Sequence, residues 1–67
     1  DLLTVRPLSM HGRCTITIID DMGRTVLREQ RIIGRDAVIQ VSAFPVGCYT
    51  LSVDDGRTVI RSRFVKN

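Results

Sequence analysis

Apolar and polar residues alternate along most of this chain, and the alternation is clearest in its last third. From Cys48 to Val53 every second side chain (Tyr49, Leu51, Val53) is large and apolar, the spacing of a strand with one buried face. Asp54-Asp55-Gly56 follows, then a run ending at Val65. Asp-Gly between two such runs predicts a hairpin, because a two-residue type I′ turn needs positive φ at both central positions. With Asp55-Gly56 as the turn, Asp54 pairs with Arg57, Val53 with Thr58, Leu51 with Ile60, Tyr49 with Ser62 and Gly47 with Phe64. Tyr49, Leu51 and Val53 then share an apolar face with Ile60 and Phe64. The wet face carries Cys48, Thr50, Ser52 and Asp54 opposite Arg57, Val59, Arg61 and Arg63, and a one-residue slip would mix the two faces.

The rest of the chain carries the same period. Leu2 to Arg6 is a short β-type run closed by Pro7, which lacks a ladder N–H. Leu8 to Arg13 reads as a loop, with some strand character around Leu8 to Met10. Cys14 to Ile19 is β-branched throughout except for Cys14 and predicts a strand. In Asp20-Asp21-Met22-Gly23, Gly23 suits the left-handed position of a three-residue loop with a bulge, which returns Arg24 to Gln30 antiparallel. Arg31 to Asp36, containing Gly34, reads as a connection. Ala37 to Val41 is a further strand, and Ser42 to Gly47 is a turn with Phe44 closing one end of the core. No window shows the 3, 4, 7 spacing of an amphipathic helix. Six or seven short strands predict an all-β, immunoglobulin-like antiparallel β-sandwich.

The sequence has 67 residues, 43% of them hydrophobic and 25% charged, and a net charge of +3. That is one domain spanning 1–67, small enough to bury only about 60% of its extended-chain surface. No apolar run approaches the roughly 18 residues of a membrane span, so direct membrane insertion is not expected. Nor does the chain open with a signal peptide, so an exported protein would carry these residues as part of a longer precursor.

The residues that bear chemistry point away from catalysis. His11 sits in a loop segment with no carboxylate or cysteine placed to orient it, as a general base requires. The pairs Asp20-Asp21 and Asp54-Asp55 invite a Ca²⁺ reading, but Asp is favoured in turns for its own bonds to backbone, and no metal is expected. Cys14 and Cys48 are too few for a zinc cage; they are read either as two buried small side chains or as one disulfide. Nine of the ten basic residues are arginine. A stripe at Arg57, Arg61 and Arg63 could meet phosphates, but single-strand nucleic-acid readers also need exposed aromatics, and Tyr49 and Phe64 face inward. No phosphate loop, no Ser/His/Asp set and no cofactor motif is present, so neither an enzyme nor a nucleic-acid binder is expected.

Three stretches in order resemble one family. Ile16 to Val26 is similar to its strand, D-x-x-G-R, strand hairpin. Val41-Ser42-Ala43-Phe44-Pro45-Val46-Gly47-Cys48-Tyr49 resembles its strand and apolar-Pro-x-Gly-x-Tyr signature. Arg57 to Lys66 resembles its terminal basic strand, with Phe64-Val65-Lys66 in the closing position. The family is the C-terminal sorting domain (type A) of type IX secretion substrates. Asp1 to Val5 resembles the strand after that family's Asn-Pro opening motif, which is missing, so a domain trimmed at its N-terminus is expected.

The resemblance implies an immunoglobulin-like sandwich that serves as a non-enzymatic secretion address on proteins exported by Gram-negative bacteria of the Bacteroidetes group. It implies passage through the periplasm and recognition by the type IX machinery at the outer membrane. Cleavage near or upstream of Asp1 by a sortase-like cysteine peptidase would follow, with the cargo left at the cell surface or released. Gly23, Pro45, Gly47, Tyr49 and Lys66 carry over as motif residues. Their physical roles are structural: glycines at turns, a proline that stiffens the approach, and a tyrosine that anchors the last hairpin. The candidate recognition surface is Arg57, Arg61, Arg63, Phe64, Val65 and Lys66. Two alternatives stand beside this reading: an immunoglobulin-like accessory domain serving stability, dimerisation or ligand binding, and a sorting domain retained uncleaved on the attachment machinery. Small size and open sheet edges are also consistent with a homodimer, simple or strand-swapped.

Overall fold

A computed structural model describes residues 2–5, 12–33 and 37–67. The strand character expected around Leu8 to Met10, the His11 loop, the Gly34 connection and Asp1 lie outside the described residues. The described residues form six strands and no helix: β1 (Leu2–Val5), β2 (Gly12–Asp20), β3 (Thr25–Ile33), β4 (Ala37–Gln40), β5 (Gly47–Asp54) and β6 (Val59–Lys66). They form a two-stranded sheet, β1-β4, and a four-stranded sheet in the order β3-β2-β5-β6, every pairing antiparallel. The result is the expected all-β, sandwich-like arrangement.

Alternation decides what each strand buries. Cys14, Ile16 and Ile18 of β2 and Tyr49, Leu51 and Val53 of β5 point into the sandwich, and Ile33, Ile39 and Val41 are buried with them among the described residues. Leu3, Leu27, Phe44 and Phe64 pack against that core from its rim. Arg31, on the inward side of β3, donates to the Val38 carbonyl of β4 at 2.6 Å and pairs with Glu29 at 3.0 Å, a polar tie between the sheets.

The first hairpin follows its sequence closely. Gly23 takes φ 84°, which a residue with a Cβ rarely adopts. The ladder slips between Ile18 and Ile19, so that Ile18 pairs with Leu27 but Ile19 with Thr25, which leaves Val26 as the bulged residue. β3 runs on to Ile33, so Arg31 to Ile33 belong to a strand and not to a connection. Ile33 explains the extension, since it is 1% exposed and pays into the core opposite Gly12.

The last hairpin departs from its expected register by two residues. Asp54 pairs with Val59, Val53 with Ile60, Leu51 with Ser62, Tyr49 with Phe64 and Gly47 with Lys66. The connection is the loop Asp55-Gly56-Arg57-Thr58, so Arg57 leaves the strand. Gly56 alone has positive φ, at 92°, and Asp55 does not, which excludes the type I′ turn. Asp55 is held instead by its own carboxylate, which accepts from the N–H groups of Arg57 and Thr58, while Asp54 accepts from Gly56 N–H. A shift of two preserves the faces. Tyr49 and Phe64 are therefore still inward, and they now sit directly opposite one another.

Candidate functional site

The motif residues meet at one end of the sandwich. Tyr49, 4% exposed, lies between two other aromatics: the Phe44 ring at 5.3 Å and the Phe64 ring, stacked at 5.4 Å between centroids. Its hydroxyl donates to the Pro45 carbonyl, which ties the turn before β5 to the start of that strand. From β6, the Lys66 ammonium donates to the carbonyls of Ser42 at 2.8 Å and Phe44 at 2.7 Å. Those carbonyls belong to a turn closed by Phe44 N–H on Val41. Pro45, Tyr49, Phe64 and Lys66 thus form one clasp holding the 41–46 turn to the last strand. Sequence reading placed Tyr49 in it; the job of Lys66 carried no sequence signal, since its acceptors lie more than twenty residues upstream. At Gly47, which opens β5, an added Cβ would meet no neighbour, so crowding does not account for that motif position.

Gly23 lies on the neighbouring loop, where Asp20 organises the D-x-x-G-R stretch. One Asp20 oxygen accepts from Met22 and Arg24 N–H, and the other pairs with the Arg24 guanidinium at 2.9 Å. The loop and the 45–49 segment flank an open groove of about 460 Å³. The Arg24 N–H, then the Arg24 side chain and Met22 N–H, hold the Asp20 carboxyl below the usual carboxylate range. The N–H groups of Thr58 and Arg57 do the same for Asp55. A lowered folded pKa contributes stability that is complete above the unfolded value, about 4, and disappears as pH falls through the folded value. Unfolding by urea at a series of pH values should therefore show a loss on the acid side, and Asp20→Asn with Asp55→Asn should flatten it. An unchanged acid limb in the double variant would exclude these two loops as its source.

The candidate recognition surface divides in two. Phe64 and Lys66 point inward and are occupied by the clasp. Arg61, Arg63 and Val65 point outward from β6, opposite Ser52, Thr50 and Cys48, and Arg57 is exposed in the loop before that strand. Among the described residues, none of the three arginines forms an ion pair. Arg28 of β3 shares their face, since Arg28, Thr17, Ser52 and Arg61 pair in succession across the four strands. This outward field is basic at its margins and hydroxyl-lined in its middle, a feature that reading the last hairpin alone does not reveal.

The thiols do not meet. Cys14 is buried on the inner face and Cys48 is exposed on the outer face, at opposite ends of the β2–β5 ladder. About 20 Å of strand separates their levels, far beyond the reach of a disulfide. Burial, then the Asp55 and Asp54 charges, raise the Cys14 thiol above its ordinary value and keep it protonated. The acidic pairs serve their own turns, and among the described residues no three His, Cys, Asp or Glu side chains gather as a metal site.

What the fold defines is a small β-sandwich module whose distinguishing residues lock a terminal hairpin and present arginines outward. The chain matches the family model of the secretion system C-terminal sorting domain over residues 2–67 and belongs to that family, the sorting domains of the type IX secretion system. The family is a non-enzymatic secretion signal, which implies contact with the secretion machinery and delivery to the cell surface or beyond. Comparison with curated proteins and with solved structures gave no match.

Proposed function

We propose that this domain is read as a folded address: the clasp fixes the last hairpin, and the outward arginines are what the export machinery meets. The observation that carries this reading is the division of labour in the terminal strand. Lys66 and Phe64 are spent on the fold, whereas Arg61, Arg63 and Val65 on the same strand, and Arg57 beside it, stay exposed. Exposed guanidinium groups suit recognition by carboxylate or phosphate, because their planar fork binds either one bidentately. The motif residues Gly23, Pro45, Gly47 and Tyr49 then act by shaping the surface and do not touch the partner. After passage through the periplasm, a sortase-like cysteine peptidase cuts upstream of the sandwich and the cargo is left anchored at the cell surface.

Removing Arg57 to Asn67 from a cargo carrying this domain should stall the cargo in the periplasm. An accessory domain would instead leave export intact and cost only stability or activity. Fractionation of periplasm, membrane and medium distinguishes the two.

A further inference from the structure

β6 is the outermost strand of its sheet: β5 holds one side, and among the described residues no strand holds the other. Alternate residues of such an edge turn N–H and C=O groups away from the sheet and can accept one more strand. The inner face along this edge is incompletely covered. Ile60 is 37% exposed, Ser62 is exposed and Phe64 is half-buried. An open groove of about 450 Å³ follows the C-terminal part of the strand, between Leu2 and Leu3 of β1 and Phe64 and Val65 of β6.

Charge narrows what can occupy the edge. The outward positions of β6 are Val59, Arg61, Arg63 and Val65, and side chains of an added strand would stand directly beside them. A second copy of β6 fits badly. Antiparallel self-pairing centred on Ser62 sets Arg61 against Arg63 twice, centring on Arg61 or Arg63 sets like residues against each other, and centring on Phe64 sets Arg63 only against Val65; β6 holds no carboxylate, so no register gives either arginine an opposite charge. Like charges directly opposite destabilise a strand pair. A strand with carboxylates at those positions is favoured by the same geometry.

We propose that the free edge of β6 takes up an extended strand from an acidic partner. That strand carries carboxylates two residues apart beside Arg61 and Arg63, and apolar side chains on its other face over Ile60 and Phe64. Main-chain hydrogen bonds supply the attachment and the alternating side chains supply the selection, as in other cases of strand addition. The proposal deepens the sorting reading and rests on it for placing the partner in the export machinery.

The probe is a short capped peptide, Thr-Val-Glu-Val-Glu-Val-Thr, titrated into isotope-labelled domain and followed by NMR, with the Thr-Val-Lys-Val-Lys-Val-Thr peptide as comparison. Resonance shifts should run along Val59 to Lys66, and alternate β6 amides should exchange more slowly with solvent. The glutamate peptide should bind about tenfold tighter than the lysine one, because two favourable cross-strand pairs replace two repulsive ones. In the Arg61→Glu, Arg63→Glu variant this preference should reverse; both side chains are exposed, and retained protection of the β5–β6 amides would verify its fold. Absence of binding, equal binding of both peptides, an unreversed preference in the variant, or shifts confined to Thr15, Thr17 and Ser52 on the outer face would each overturn the proposal. Failure of the sorting reading is seen separately, as normal export of cargo lacking Arg57 to Asn67.

Discussion

Tyr49→Ala should remove about 3–5 kcal/mol of stability, the usual cost of deleting a large buried aromatic. A chain of this length has only about 3–10 kcal/mol in total, so the variant should be largely unfolded or at the edge of unfolding. The size of the effect follows from position. Tyr49 fills the space between the Phe44 and Phe64 rings and holds Pro45 through its hydroxyl, so alanine opens a cavity and frees the turn at once. Tyr49→Phe separates the two contributions. It keeps the ring and loses only the hydrogen bond, at about 1 kcal/mol. Urea unfolding of both variants checks this, and equal losses in the two would mean that the hydroxyl, not the stack, governs this end of the sandwich.

Lys66→Met should cost about 1.5–3 kcal/mol, the range for hydrogen bonds made by a charged group. Methionine retains the apolar stem but leaves the Ser42 and Phe44 carbonyls without the ammonium that joins them. Lys66→Arg should not restore the wild-type value, because a planar fork cannot reproduce a compact point donor to two converging carbonyls. Amide exchange should accelerate in the 41–46 turn before it does in β2 or β5. Uniform acceleration over the whole sheet would contradict the assignment of Lys66 to that turn.

These two residues also show what a linear reading captures. Tyr49 was legible because alternation fixes its face whether the hairpin slips by two residues or not. The register is not legible in the same way: Asp-Gly predicts a tight turn, but the two aspartates offer enough side-chain acceptors to support the longer loop that the structure shows. Arg31 to Ile33 read as a connection because a polar residue and a nearby glycine mask one buried isoleucine, whereas β3 runs on to Ile33. The Lys66 clasp could not be found by periodicity, since it joins segments that only the completed sandwich brings together. The same holds for the basic field: Arg28 meets the line of Arg61 through two intervening strands, a neighbourhood set by sheet order alone.

In the terminal strand, Phe64 and Lys66 build the clasp, while Arg61, Arg63 and Val65 face outward. The most direct test is to attach residues 1–67 to a reporter and replace Arg57, Arg61 and Arg63 together by glutamine in the native host. All three side chains are exposed, so unfolding of the purified variant should match wild type within about 0.5 kcal/mol. The account predicts a folded domain whose reporter accumulates in the periplasm. Delivery of that reporter to the cell surface at the wild-type level would contradict it.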